Sequence, residues 1–226
     1  MKIIKIALVL LIALLFFNFK DKNQTKPVIY LVGDSTVKNG KGDGAGGLWG
    51  WGDFIGQFLD TTKISIQNHA LGGTSSRTFQ SKGLWQPVYN KLKKGDYVII
   101  QFGHNDDGPL NDTLRARGTI KGIGEEAQEI DNMITQKHEI VHTYGWYIRR
   151  LVKDAKAKGA IPVICSPIPR NDWEEGKVPR NDKSYGLWAK QIAKQEKVTF
   201  IALNDQMATL MEQLGQAKVT GTYLFH

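Results

Sequence analysis

Cysteine is nearly absent from this 226-residue chain: Cys165 stands alone. One thiol cannot build an internal disulfide framework or a cysteine-based zinc cluster. An excess of one charge is scarce as well. Lys2, Lys5 and Lys20 fall in the first twenty residues with no acid beside them, so the remainder carries only +5 of the formal +8. A nucleic-acid surface would gather its basic residues on one element, so no nucleic-acid partner is expected. Internal repeats and low-complexity tracts are missing, and a composition 41% hydrophobic and 23% charged excludes a disordered or fibrous chain. No apolar run reaches the length that spans a bilayer comfortably, because the longest stops at Phe17 after starting at Ile6.

That run is nevertheless informative. MKIIKIALVLLIALLFF places two lysines ahead of a short apolar stretch, the layout of a secretory signal. Residues 1–20 are therefore expected to be a signal peptide or an N-terminal anchor, since Asn18-Phe19-Lys20 offers no clear small-x-small cleavage site. No cysteine lies near the boundary, which excludes a lipoprotein junction. Residues 21–27 are polar, end in Pro27 and read as a linker; residues 28–226 read as one domain with a sizeable core. The expected location is secreted or periplasmic, with membrane contact only if the leader stays uncleaved.

Beyond the linker, short apolar runs at 28–32, 64–67, 97–102, 161–165 and 198–202 alternate with longer mixed segments. Their near-continuous hydrophobicity suits parallel strands covered on both faces. Helical patterns are read at 51–59, 84–94, 134–158, 183–196 and 205–214, the third ending at Gly159. Alternation of this kind predicts a doubly wound α/β sheet of five parallel strands.

Ligands of such sheets bind beyond the carboxyl ends of the strands. Gly33-Asp34-Ser35-Thr36 follows the first strand, and Asn68-His69-Ala70-Leu71-Gly72-Gly73-Thr74-Ser75-Ser76-Arg77 the second. Gly103-His104-Asn105-Asp106 follows the third, and Ser166-Pro167-Ile168-Pro169-Arg170 the fourth. Acyl transfer needs a nucleophile, a base and donors for the developing oxyanion. Ser35 is the candidate nucleophile. The backbone N–H groups of Ser35 and Gly73 and the amide of Asn105 are the candidate oxyanion donors, with Gly72 the adjacent alternative to Gly73. Asp, Ser, Asn and Gly also make ordinary polar turns, so either loop alone would decide nothing.

GDSTV, NHALGGTSSRTF and VIIQFGHND together resemble the first three sequence blocks of the GDSL, or SGNH, hydrolases. HTYGWYIRRLVKDAKAKGAIPVICSPIPR and YGLWAKQIAKQEKVTFIALND extend the likeness to the rhamnogalacturonan acetylesterase group. The resemblance implies a flavodoxin-like three-layer sandwich and a serine esterase acting on an acetylated polysaccharide or oligosaccharide. It implies Ser35 as nucleophile, Gly73 and Asn105 as oxyanion donors, and no metal or organic cofactor. The protein is expected to be a monomer.

The same family takes its base from a late Asp-x-x-His block, and no aspartate of this chain has histidine three residues later. His226 follows Tyr223, so it does not fit either. The domain is accordingly expected to be C-terminally incomplete, and a catalytically inactive carbohydrate-binding remnant is the alternative.

Three further patterns compete. His138-Glu139-Ile140-Val141-His142 matches H-E-x-x-H, which on a helix places two histidines on one face for zinc, with Glu139 as base. No third ligand motif follows, and the bland expectation is a pair of polar histidines at a helix end, with His142 available as a substrate contact. Gly42, Gly44 and Gly47 fit G-x-G-x-x-G, but the first strand ends ten residues earlier and a flexible loop bordering the cleft is the better reading. The G-x-S-x-G elbow is excluded by Val37. Trp49, Trp51, Trp85 and Trp173 are candidates for sugar stacking or for plain packing, and Arg77 and Arg170 for contacts to an acidic polymer or simple surface charge.

Overall fold

The computed structural model describes residues 26–221. The leader at 1–20, most of the linker and His226 lie outside the described residues. All five expected strands are present as β1 (Val28–Gly33), β2 (Ser65–Asn68), β3 (Tyr97–Gln101), β6 (Ile161–Cys165) and β7 (Thr199–Ile201). They form one parallel sheet in the order β2-β1-β3-β6-β7. Alternate residues explain why these strands read as unbroken apolar runs. Tyr30, Val32, Val98, Ile100 and Ile164 face one layer, while Ile29, Leu31 and Ile99 face the other.

The first layer consists of α1 (Ser76–Ser81), α2 (Trp85–Lys91), α3 (Tyr144–Ala157) and α4 (Tyr185–Gln195). Phe79, Val88, Ile148, Leu151 and Ile192 deliver their buried sides to the sheet. On the opposite layer Trp51 and Ile55 pack against Leu31 and Val37. After β7 the chain continues into α5 (Leu203–Leu214) and α6 (Gln216–Thr220), joined by a small cluster of Val178, Ala208, Met211 and Val219. No helix among the described residues is long and apolar enough to cross a membrane.

Two expected helices need correction. Residues 51–59 form two short 3-10 turns, Trp51–Asp53 and Ile55–Phe58. Gly52 is the cause: it lies so close to the chain that a Cβ would sit 2.7 Å from the Val37 carbonyl oxygen. Glycine there permits the contact and also weakens a helix. Residues 134–158 are a helix only from Tyr144 onward. Before that, β4 (Ala127–Asn132) and β5 (Lys137–His142) make an antiparallel hairpin. Its turn is set by Asn132, whose Oδ1 accepts from the N–H of Ile134 at 2.9 Å and of Thr135 at 3.0 Å. Thr143 then starts α3, its hydroxyl accepting from Trp146 N–H at 3.0 Å.

The strand order reverses between β1 and β3, and the loops leaving those two strands diverge at the carboxyl edge. A crevice opens at such a reversal, and the Ser35 and Asn105 loops border it.

Candidate active site

Ser35 sits at the tip of a turn that begins on buried Asp34. The Asp34 carbonyl accepts from the N–H groups of Val37 and Lys38, both at 3.1 Å. Its Oδ1 accepts from Thr36 N–H at 2.9 Å and from the Thr36 hydroxyl at 2.7 Å. Asp34 is thereby committed to shaping the turn, and Ser35 is lifted into a half-buried position at the edge of the sheet. Gly33 is obligatory at the strand end, because a Cβ would lie 2.6 Å from the Gln101 carbonyl oxygen.

The loop after β2 closes against this turn. Leu71 N–H donates to the Gly33 carbonyl at 3.0 Å, and a Cβ on Gly72 would stand 3.4 Å from that of Ser35. Gly73 follows at φ +79°, a conformation that favours glycine and turns its peptide outward. Neither the Ser35 nor the Gly73 N–H donates to a protein acceptor among the described residues. Asn105 comes from the β3 loop and is buried; its Nδ2 donates to the Thr74 carbonyl at 2.8 Å. That bond uses one amide hydrogen, leaves the second, and fixes Asn105 beside Gly73. The structure thus brings Ser35, Gly72, Gly73 and Asn105 together, and Ser35 Oγ carries no protein hydrogen bond among the described residues.

A second buried acid, after Asp34, supports this arrangement. Asp106 accepts from Ser76 N–H at 3.1 Å and from the Ser76 hydroxyl at 2.5 Å, tying the β3 loop to the start of α1. Burial pushes its carboxyl up to about 7, the nearby Asp34 charge adding to the rise against the Ser76 bonds. His104, almost fully enclosed, is held below the usual imidazole range by burial and secondarily by Arg170, while Asp34 pulls the other way. Its Nε2 has no hydrogen-bond partner among the described residues.

The other expected site residues fall elsewhere. Arg77 is not at the surface: it is wholly buried in α1, with Nε and Nη2 donating to the two oxygens of Glu139 at 2.7 and 2.6 Å. Its Nη1 donates to the carbonyls of Leu110 and Gly118 at 2.7 and 2.9 Å, so its guanidinium is consumed by the fold. His142 ends β5 with its ring stacked on Trp146, the centroids 3.9 Å apart. Arg170 is exposed and lines a cleft of about 270 Å³ with His104, Asp107, Asn181 and Tyr185.

The zinc reading is overturned. His138 and His142 lie on a strand, where four residues span about 13 Å, too far for two ligands of one ion. Glu139 between them is engaged by Arg77, and no group of three potential metal-binding side chains occurs among the described residues. Among the tryptophans, Trp85 is buried and donates to Asp154 at 2.8 Å, whereas Trp51 and Trp173 donate to Gln101 and Asn171. Trp49 is the exposed one, at 46%. Sequence reasoning missed the supporting pair Asp106–Ser76, whose members lie 30 residues apart in the chain.

A larger cleft of about 710 Å³ begins at Gly72 and Gly73 and runs under the β4–β5 hairpin.

Comparison with known proteins agrees with this geometry. Residues 29–219 match the family model described as GDSL-like lipase/acylhydrolase. A rhamnogalacturonan acetylesterase of Emericella nidulans is 33% identical over 195 residues, 86% of this chain and 74% of that protein. The probable rhamnogalacturonan acetylesterase YesY of Bacillus subtilis is 30% identical over 191 residues, 84% of this chain and 76% of that protein. The solved structure of the Bacillus subtilis protein YxiM superposes with a TM-score of 0.67 at 23% identity, covering 88% of this chain but only 50% of that one. This chain spans half the length of that solved protein, and the likeness speaks for the fold. With a family model matched over nearly all of the described residues and the Ser35, Gly73 and Asn105 loops meeting at one sheet edge, the chain belongs to the GDSL-like lipase/acylhydrolase family of carboxylic ester hydrolases, in the group of the rhamnogalacturonan acetylesterases.

Proposed function

We propose that this protein is a serine carbohydrate esterase that removes O-acetyl groups from a plant cell-wall polysaccharide such as rhamnogalacturonan. The observation that carries the reading is the meeting of a serine that, among the described residues, has no protein hydrogen bond to its hydroxyl with two backbone N–H groups equally unengaged there and an anchored amide. In this reading Ser35 Oγ attacks the acetyl carbonyl carbon, and the negative charge that develops on its oxygen rests on Ser35 N–H, Gly73 N–H and the Asn105 amide. The proton of Ser35 Oγ passes through a base to the departing sugar oxygen as that bond breaks, and water then releases acetate from the serine; the resemblance places this base in an Asp-x-x-His block, which these 226 residues do not contain. The leader reading makes it an exported protein, secreted or periplasmic, and we propose a monomer.

A second reading, a carbohydrate-binding protein without turnover, is favoured by one observation: no aspartate in the 226 residues has histidine three positions later. Acetate release separates the two. An esterase liberates acetate from acetylated rhamnogalacturonan in a Ser35-dependent way, whereas a binder retains the polymer and liberates none.

A further inference from the structure

The large cleft shares Gly72 and Gly73 with the candidate oxyanion loop, and so offers a path along which a sugar chain whose ester reaches Ser35 can extend. Its walls are strongly cationic. Lys82, Arg115, Arg117 and Lys137 line it, and no ion pair engages any of the four among the described residues. The carboxylate in the lining is Glu139, and it is already held by buried Arg77 and by Asn132 at 2.8 Å.

The loop that presents the arginines is built for that task. Asp112 Oδ1 accepts from the N–H groups of Leu114, Arg115 and Ala116 at 2.9, 2.5 and 2.7 Å, folding the segment around one carboxylate. Arg117 leaves this loop half-buried, runs its stem over Gly108, and donates from Nη1 to the Gly73 carbonyl at 2.9 Å. A guanidinium has five donors, and this bond takes one. Burial, followed by the neighbouring Arg115 charge, holds the Arg117 cation below its ordinary range. An anion entering between these groups would offset the repulsion between the two arginines.

We propose that Arg117 is a specificity and positioning residue that couples a carboxylate on the substrate to the oxyanion loop. A uronic-acid sugar next to the acetylated one takes the free donors of Arg117, with Arg115 and Lys137 adding charge. Its docking holds the guanidinium on the Gly73 carbonyl and so steadies the Gly72–Gly73 loop beside Ser35. The inference rests on the acetylesterase reading for the reaction it tunes.

The test uses the full chain with two acetylated oligosaccharides of equal length, one of uronic-acid sugars and one of neutral xylose, at 20 and 500 mM NaCl. Wild type is expected to favour the uronic substrate by about 10-fold in kcat/KM at low salt, with most of the preference lost at high salt. Arg117→Ala is expected to abolish the preference and to lower kcat on both substrates. Arg117→Lys, which keeps charge without the fork, restores the KM for the uronic substrate by about half of that loss and leaves kcat low. Arg115→Ala, at an exposed position, should cost about 3-fold on the uronic substrate alone. A wild-type enzyme without preference, or an Arg117→Ala variant that falls equally on both substrates with its preference intact, would overturn the proposal. Binding of unacetylated oligogalacturonate by calorimetry separates this from failure of the function. Salt-dependent, Arg117-dependent binding with no acetate released from any substrate keeps the subsite and removes the esterase reading.

Discussion

Replacing Glu139 by glutamine tests the tie between α1 and the β4–β5 hairpin. The Arg77 side chain has no exposure and that of Glu139 has 21%, so the pair is screened on one side only. Burial pushes the Glu139 carboxyl up, but the bonds from Arg77 and Asn132 outweigh it and leave it below the usual carboxylate range. Glutamine keeps the shape, removes the charge, and turns an N–H donor toward the guanidinium. Removing one partner of a buried pair costs roughly 3–5 kcal/mol, reduced here to about 2–4 by the exposure of Glu139. For a chain of this size each kcal/mol moves Tm by about 2–4 °C, so a fall of roughly 6–12 °C is expected for a loss of about 3 kcal/mol. Arg77→Met should cost at least as much, because it strips donors from the Leu110 and Gly118 carbonyls too. The double variant Arg77→Met/Glu139→Leu should recover part of the loss, giving a coupling energy of about 2 kcal/mol in a urea-unfolding cycle. Loss of the pair at low pH follows the same sign: its stabilisation is present above the unfolded carboxyl pKa and fades as pH falls through the lowered folded value. A Glu139→Gln protein within about 0.5 kcal/mol of wild type, with coupling of the same size, would refute the reasoning.

Asp106, raised by burial to about 7, binds its proton in the folded state where the unfolded chain has lost it. Stability from this group is therefore complete below about pH 4 and declines as pH rises to about 7, by at most about 4 kcal/mol. The stability of Asp106→Asn relative to wild type should rise across that window in denaturant titrations, and a pH-independent difference would contradict it. Burial pushes the Cys165 thiol up to about 12, so Ellman's reagent should find no thiol in the folded protein at pH 8 and one after denaturation. Gly33→Ala should lower both Tm and acetate release, since its Cβ meets the Gln101 carbonyl at the root of the serine turn; unchanged values for both would show that this contact does not position Ser35.

The sheet was legible because each parallel strand is covered on both faces and so reads as one apolar run. The candidate catalytic loops were legible because such a sheet gathers its strand ends at one edge, and Ser35, Gly73 and Asn105 lie in the loops that leave β1, β2 and β3. The hairpin was not legible, because residues 137–142 satisfy the i, i+4 spacing of a helix as well as the alternation of a strand. Pairing with β4 and the Asn132 turn decides between them. That local choice carries the zinc motif with it, since histidines that share a helix face stand far apart on a strand. Arg77 looked like a surface contact because its partner lies 62 residues away, beyond the reach of any local pattern. The cationic cleft was hidden for the same reason: Lys82, Arg115 and Lys137 are scattered in sequence and meet only when the hairpin folds over the Gly72–Gly73 loop.

Acetate release from acetylated rhamnogalacturonan by wild type and Ser35→Ala tests the central claim most directly. The account expects a residual, Ser35-dependent release by wild type, because the oxyanion and binding groups act without the missing Asp-x-x-His base, and a lower rate in the variant, with folding and Tm retained. No release by wild type, or equal release by a folded Ser35→Ala protein, would contradict it.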